Sequence, residues 1–335
     1  MAILVTGGAG FIGSHTCADL LDAGHDIVIL DNYSNASPTV IGKIEAVSGK
    51  KVKAYETDLL DADSVAAIFA ENDIDAVIHF AGLKAVAQSV SMPLQYYRNN
   101  ITGTLILLDA MAKAGCKKLV FSSSATVYGA NPDVPLKETY PTRAATNPYG
   151  TTKLMIETIL RDLYTSDNSW SIALLRYFNP IGAHPSGLLG EVPNGIPNNI
   201  MPIIVQVVSG KLPILNVTGN DYDTPDGTGV RDYLHVMDLA AGHKYAYDYV
   251  CSHTGVDAFN LGTGKGYSVL DIVTTFEAVN NVQIPRQFAP RRPGDIAVSY
   301  ADPTKAKDIL GWEATRDLQQ MCRDAWHFYQ KETAS

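Results

Sequence analysis

Ala2-Ile3-Leu4-Val5-Thr6-Gly7-Gly8-Ala9-Gly10-Phe11-Ile12-Gly13 decides the fold. Its opening residues are a short, continuously apolar run, as expected of a strand buried on both faces of a parallel sheet. Glycines then fill the strand-to-helix turn. Gly8, Gly10 and Gly13 satisfy G-x-G-x-x-G, and Gly7, Gly10 and Gly13 give the related spacing. An apolar-periodic helix is predicted from about Ser14 to Ala23, then a second buried strand, Ile27-Val28-Ile29-Leu30, ending in Asp31. Glycines at such a turn let backbone N–H groups approach a pyrophosphate at a helix N-terminus. Asp31 is placed to take a ribose 2′-hydroxyl, and a carboxylate there repels a 2′-phosphate, so NAD is expected over NADP. The glycine motif alone is weak; the strand before it, the helix after it and the acid at the next strand end make it specific.

Outward from this unit the α/β alternation continues. Residues 52–56 predict a strand that ends at Asp58-Leu59, and a helix follows from about Ala62 to Glu71. Ala76-Val77-Ile78-His79-Phe80 predicts another buried strand, running into Ala81-Gly82. A longer helix around Pro93 to Ala114 carries Asn99 and Asn100, and Lys118-Leu119-Val120-Phe121 delivers Ser122-Ser123-Ser124 to a strand end. Open α/β sheets bind ligands at the C-terminal ends of their strands. The fold class is therefore α/β: a Rossmann-type doubly wound parallel sheet, with a smaller mixed α/β substrate-binding lobe after it.

Asn147-Pro148-Tyr149-Gly150-Thr151-Thr152-Lys153 reads as a helix start, with Asn147 as N-cap and Pro148 at the first position. Tyr149 and Lys153 are four apart and share a helix face. An ammonium near a phenol favours the phenolate, which makes Tyr149 a candidate general base. On spacing alone such a pair is more often ordinary helix surface, and a serine at a strand end is more often a turn residue.

Composition is that of an ordinary globular chain: 335 residues, 46% apolar, 18% charged. The net charge of −9 argues against nucleic acid or an anionic membrane as the main partner. Cys17, Cys116, Cys251 and Cys322 are far apart, with no CxxC and no His at metal spacing, so no metal is expected and a reducing, cytoplasmic compartment is. The first residues do not read as a signal peptide, and no apolar run approaches the roughly 18 residues of a membrane span.

Together these pieces resemble the extended short-chain dehydrogenase/reductase family, and within it the UDP-sugar 4-epimerase branch. The carriers are the glycine turn, Asp58, His79-Phe80-Ala81-Gly82, Ser122-Ser123-Ser124 and Tyr149-x-x-x-Lys153. Longer blocks also match: Leu174 to Pro180, Ile196-Pro197-Asn198-Asn199, Gly227 to Val236 and Ala289 to Asp295. Nucleotide-sugar 4,6-dehydratases of the family carry Asp-Glu directly after the catalytic hydroxyl residue. Ala125 and Thr126 stand there and cannot serve as that acid or base, which points away from dehydration and toward a redox step reversed in place.

The resemblance implies catalysis by Ser124, Tyr149 and Lys153. It implies NAD held by Gly7, Gly10, Phe11, Ile12, Gly13, Asp31, Asn32, Asp58, Leu59, Phe80, Ala81, Lys84, Asn99, Ser122, Tyr149, Lys153, Tyr177 and Phe178. A UDP-sugar would meet Ser124, Tyr149, Asn179, Asn199, Ile200, Asn216, Thr218, Arg231, Tyr233, Arg292, Asp295 and Ser299. Arg231 and Arg292 suit a diphosphate, because guanidinium forks match phosphate oxygens; Arg291 is the third arginine of this lobe. Thr218 stands where the family commonly has an aromatic and cannot stack on uracil. Ser299 stands where some epimerases carry a bulky Tyr, and its small side chain leaves room for an N-acetyl group. The expected division is a NAD-binding domain over 1–178, to which 235–262 returns, and a UDP-sugar lobe over 179–335. The expected activity is interconversion of UDP-glucose and UDP-galactose by a homodimer. Other readings are a uronate 4-epimerase, a net reductase, or a non-catalytic NAD-sensing protein.

Overall fold

The computed structural model describes residues 1–131, 133–142, 145–192, 195, 197, 199–292 and 295–334. Ile196, Asn198, Pro293 and Gly294, which belong to blocks of the resemblance, lie outside the described residues.

The strands in chain order are β1 (Ala2–Thr6), β2 (Ile27–Asp31), β3 (Lys53–Glu56), β4 (Ile74–His79), β5 (Lys118–Ser124), β6 (Ser171–Tyr177), β7 (Asn179–Ile181), β8 (Leu215–Thr218), β9 (Val230–Arg231), β10 (Tyr233–His235), β11 (Gly255–Leu261), β12 (Tyr267–Ser268), β13 (Arg286–Ala289) and β14 (Val298–Ser299). The helices are α1 (Phe11–Asp22), α2 (Thr39–Ser48), α3 (Ala62–Glu71), α4 (Val86–Ser91), α5 (Pro93–Tyr97), α6 (Gly103–Ala114), α7 (Pro148–Ser166), α8 (Ile200–Val208), α9 (Val236–Ser252), α10 (Val269–Asn280) and α11 (Leu318–Ala334). The expected helix from Pro93 to Ala114 is interrupted by a π-helical turn over Arg98–Thr102.

Seven strands form one sheet in the order β3-β2-β1-β4-β5-β6-β11, and every pair in it is parallel. The order reverses between β1 and β4, the topological switch point where such sheets bind ligands. Residues of β1, β2 and β6 are buried almost throughout, because helices cover both faces. One core packs α1, α2 and α9 on the sheet through Cys17, Leu20, Ile44, Leu239 and Val250. The other packs α3, α6 and α7 through Val65, Ile68, Leu107, Met111, Ile156 and Leu160. α9 and β11 bring the chain back from the second lobe to extend the sheet beside β6.

The second lobe has its own core, in which Met201, Ile204, Leu215, Val217, Phe276 and Met321 meet. Its strands form small sheets: β7 with β10, β8 with β13, and β9 between β12 and β14. A fourth cluster, with Val127, Tyr128, Leu136, Phe178 and Ala301, joins the end of the large sheet to that lobe. Among the described residues no helix is long and apolar enough to cross a membrane, and all four cysteines are free.

Candidate active site

The glycine turn is as tight as its sequence demands. Gly7 has φ +70°, and its N–H donates to Leu30 O at 2.7 Å. A Cβ on Gly13 would lie 2.2 Å from Gly7 O, so any side chain there would push α1 off the end of β1. Gly10 caps α1 without a side chain, which leaves the first N–H groups of the helix to a ligand oxygen. Asp31 ends β2 with each carboxylate oxygen taking one backbone N–H, Ala9 at 3.0 Å and Tyr33 at 2.9 Å. Burial raises its pKa, against those two N–H groups, and each oxygen keeps acceptor capacity for a hydroxyl. Asn32 donates to Asp58 at 2.8 Å, tying together the loops after β2 and β3, with Leu59 buried beneath. The N–H groups of Phe80 and Ala81 both reach Thr6 O, at 3.0 and 3.1 Å. A glycine cradle, an uncapped helix N-terminus and a strand-end carboxylate fit a dinucleotide such as NAD.

Behind Phe80, His79 bridges Thr6 Oγ1 at 2.7 Å and Thr104 Oγ1 at 2.9 Å. Thr104 donates its own proton to Asn100 O, so it accepts from His79 Nε2–H and Thr6 donates to Nδ1. Burial lowers this histidine to about 3, which keeps it neutral. Asn100 clamps Leu83 through N–H and C=O at 2.8 and 3.0 Å and donates to Thr152 on α7 at 3.0 Å. Asn99, expected on the cofactor, lies half-buried in the π-helical turn beside Asn100. Lys84 Nζ lies 3.3 Å from Glu191, whose Oε1 also accepts from Asn199 at 2.7 Å.

α7 starts as its sequence predicts: Asn147 Oδ1 accepts from Gly150 N at 2.9 Å, and Pro148 follows at the first position. Ser124 closes β5 and accepts from Thr126 N at 3.2 Å and Thr126 Oγ1 at 3.0 Å. Its own proton is thereby left to donate, and Ser124 hydrogen-bonds the Tyr149 hydroxyl. Lys153 is buried, with Nζ donating to Ser122 O at 2.6 Å, 4.8 Å from the Phe121 ring centre and 5.9 Å from that of Tyr149.

One expectation is corrected here. Spacing alone predicted that Lys153 would make the Tyr149 phenol more acidic. In this structure burial pushes Tyr149 up to about 12, opposed by the Ser124 hydrogen bond. Burial also brings Lys153 down to about 8, so the lysine is neutral before this phenol ionises. Its charge favours a phenolate only below that pH.

Tyr177 and Phe178 lie buried at the end of β6, and the Tyr177 hydroxyl pairs with His243 of α9, whose ring centre lies 4.6 Å from that of Phe80 at a tilt of 50°.

The second lobe gathers most of the expected sugar-nucleotide residues. Arg231 Nη2 lies 3.9 Å from Asp295, and Arg292 Nε donates to the same carboxylate at 3.2 Å. Burial pushes Tyr233 up to about 12, while Arg231 and Arg292 pull the other way, so all three share one neighbourhood. Ser299 is paired with Arg231 across β9 and β14, and Asn179 with Tyr233 across β7 and β10. Ile200 opens α8 directly after Asn199. Asn216 and Thr218 lie on the separate β8–β13 sheet, where Asn216 accepts from Gln287 at 2.8 Å. Arg291 turns to Asp221 at 2.6 Å and lies over the Tyr222 ring at 4.0 Å.

A Rossmann sheet whose glycine turn faces a Ser, Tyr-x-x-x-Lys set defines the extended short-chain dehydrogenase/reductase class. The sequence profile described as GDP-mannose 4,6 dehydratase matches residues 4–325. The chain is 62% identical over 328 residues to UDP-glucose 4-epimerase of Bacillus subtilis (strain 168), covering 98% of this chain and 96% of that one. The crystal structure of UDP-glucose 4-epimerase from Bifidobacterium longum with NAD+ and UDP superposes with a TM-score of 0.97 at 52% identity, covering 99% of both chains. The UDP-Glc/GlcNAc 4-epimerase of Campylobacter jejuni gives 0.85 at 36% identity, covering 98% of this chain and 99% of that one. The chain belongs to the UDP-glucose 4-epimerase family.

Proposed function

We propose that this protein is an NAD-dependent epimerase that interconverts UDP-glucose and UDP-galactose through a transient 4-keto sugar. The observation that carries the reading is the convergence of Ser124, Tyr149 and Lys153 on the sheet edge where the glycine turn opens. NAD, which the glycine turn and Asp31 would hold, would supply a reversible hydride acceptor for the sugar C4.

The chain's own groups do the rest. Tyr149 Oη takes the proton from the sugar O4 and returns it in the second half-reaction. Ser124 donates its one free O–H to Tyr149 Oη and steadies the phenolate that takes the proton. Lys153 keeps a positive charge beside the phenolate below about pH 8. Arg231 and Arg292 hold the diphosphate and Asp295 orients them, so the nucleotide stays fixed while the keto sugar turns its other face. Asp31 takes the adenosine ribose. Ala125 and Thr126 offer no acid–base pair for dehydration.

Ser299, small and buried where it pairs with Arg231, supports a wider substrate range that includes UDP-N-acetylhexosamines. Exposed Leu94, Leu105 and Met155, 78%, 43% and 43% accessible on α5, α6 and α7, support a homodimer through these helices. The deciding experiment offers UDP-galactose and UDP-N-acetylgalactosamine separately to purified protein with no added cofactor. Conversion of both establishes the wider range, conversion of the first alone removes it, and conversion of neither refutes the epimerase. Stoichiometric consumption of added NADH would mark a net reductase instead.

A further inference from the structure

Tyr149, Lys153 and Glu157 follow one another at four-residue steps along one face of α7. Each meets a different serine of β5. Tyr149 bonds Ser124, Lys153 Nζ reaches Ser122 O at 2.6 Å, and Glu157 Oε1 accepts from Ser123 Oγ at 2.6 Å. The proposed chemistry uses the first two rungs. The third is fully built: Glu157 is 2% exposed, and Arg176 grips it from β6 with Nε to Oε1 at 3.0 Å and Nη2 to Oε2 at 2.7 Å. Arg176 Nη1 continues to the Tyr128 hydroxyl at 2.9 Å, which donates to Asn260 of β11 at 2.7 Å. Adhesion of α7 to the sheet does not require this. A buried ion pair is often no more stabilising than apolar side chains of the same volume, but it fixes geometry that apolar packing leaves free.

We propose that Glu157 is a positioning residue for the reaction: held by Arg176 and Ser123, it sets the register of α7 on β5 and so the placing of Tyr149 and Lys153 against Ser124. Ser123 stands between Ser122 and Ser124 in β5, so its bond to Glu157 ties α7 to the strand that carries both. The inference rests on the epimerase reading.

The test is the double variant Glu157→Met/Arg176→Met, which keeps side-chain volume and removes both charges together. It is assayed with UDP-galactose, with kcat expressed per mole of bound NAD so that any unfolded fraction does not count. The expected result is a kcat at least about 10-fold below wild type with KM changed by less than about 3-fold, the mark of lost alignment and not of lost binding. A kcat within about 3-fold of wild type would overturn the inference. If the double variant fails to fold, Ser123→Ala decides: kcat should fall several-fold at constant KM, and an unchanged kcat overturns the idea. Wild-type protein that leaves UDP-galactose untouched would overturn the epimerase reading and this inference with it. An active wild type beside an unimpaired variant would overturn the inference alone.

Discussion

Replacing Lys153 with Met isolates what a buried charge does for the phenol of Tyr149, the proposed general base. The methionine keeps an apolar side chain and removes the ammonium, which lies 4.8 Å from the Phe121 ring centre and 5.9 Å from that of Tyr149. At an effective dielectric constant of about 20, a unit charge about 6 Å away is worth roughly 3 kcal/mol, or about two pH units of phenol acidity. At pH 7 Lys153 is charged in the wild type, because its pKa is about 8. The phenolate fraction, and kcat with it, should therefore fall roughly 100-fold in the variant. Near pH 9.5 the wild-type lysine is itself largely neutral, and the defect should narrow to less than about 10-fold. Stability supplies a control of known sign. Between about 8 and 10.5 the unfolded chain holds the lysine proton and the folded chain does not, so stability rises with pH across that window. Below about 8 the folded state carries the full penalty, roughly 3 kcal/mol, which Met removes at the cost of a hydrogen bond worth about 1 kcal/mol. The variant should melt no lower than wild type at pH 7. The assay follows UDP-galactose conversion by chromatography from pH 6.5 to 9.5. A defect that is constant across that range, or a variant within about 5-fold of wild type at pH 7, would show that Lys153 does not act through its charge.

Tyr149→Phe should lose nearly all epimerisation while keeping NAD, read from absorbance of the purified protein; more than a tenth of wild-type turnover removes Tyr149 from the base role. Ser124→Ala should cost about 10²–10⁴-fold in kcat, since it removes a proton donor placed on Tyr149, with little change in UDP affinity by calorimetry. Gly13→Ala should abolish NAD retention, because its Cβ would enter the 2.2 Å space before Gly7 O; a variant purified with a full complement of NAD contradicts the cradle. Arg292→Met should weaken UDP binding by roughly 10-fold or more and leave NAD content untouched.

The parts of the molecule that depend on neighbours in the chain were legible in its sequence. The turn from Thr6 to Gly13 carries its own signals, because glycine is required by a positive φ at Gly7 and a close approach at Gly13. The start of α7 is likewise local, with Asn147 capping Gly150 three residues on. α2 was not anticipated, although Val40, Ile41, Ile44 and Val47 fall at helical spacing and pack on the core. β7 and β10 are three residues each, recognisable only through the pairing of Asn179 with Tyr233. Residue types and spacing pointed to Ser124, Tyr149 and Lys153, which the structure brings together, but not to the protonation balance between them, which burial sets. Glu157 was invisible for a similar reason: a glutamate on a helix reads as surface until Arg176 and Ser123, from two different strands, are seen to enclose it.

The return of α9 and β11 to the large sheet, after β7 to β10 have been laid down in the smaller lobe, means that the polypeptide crosses between the two halves more than once. No single cut separates the lobes. A fragment ending near residue 178 would lack the sheet's outer strand and leave the edge of β6 bare, and the complementary fragment would carry β11 with nothing to pair against. The two halves are therefore expected to melt together in one transition, and a nucleotide bound at the glycine turn should raise the melting temperature of the smaller lobe as much as that of its own.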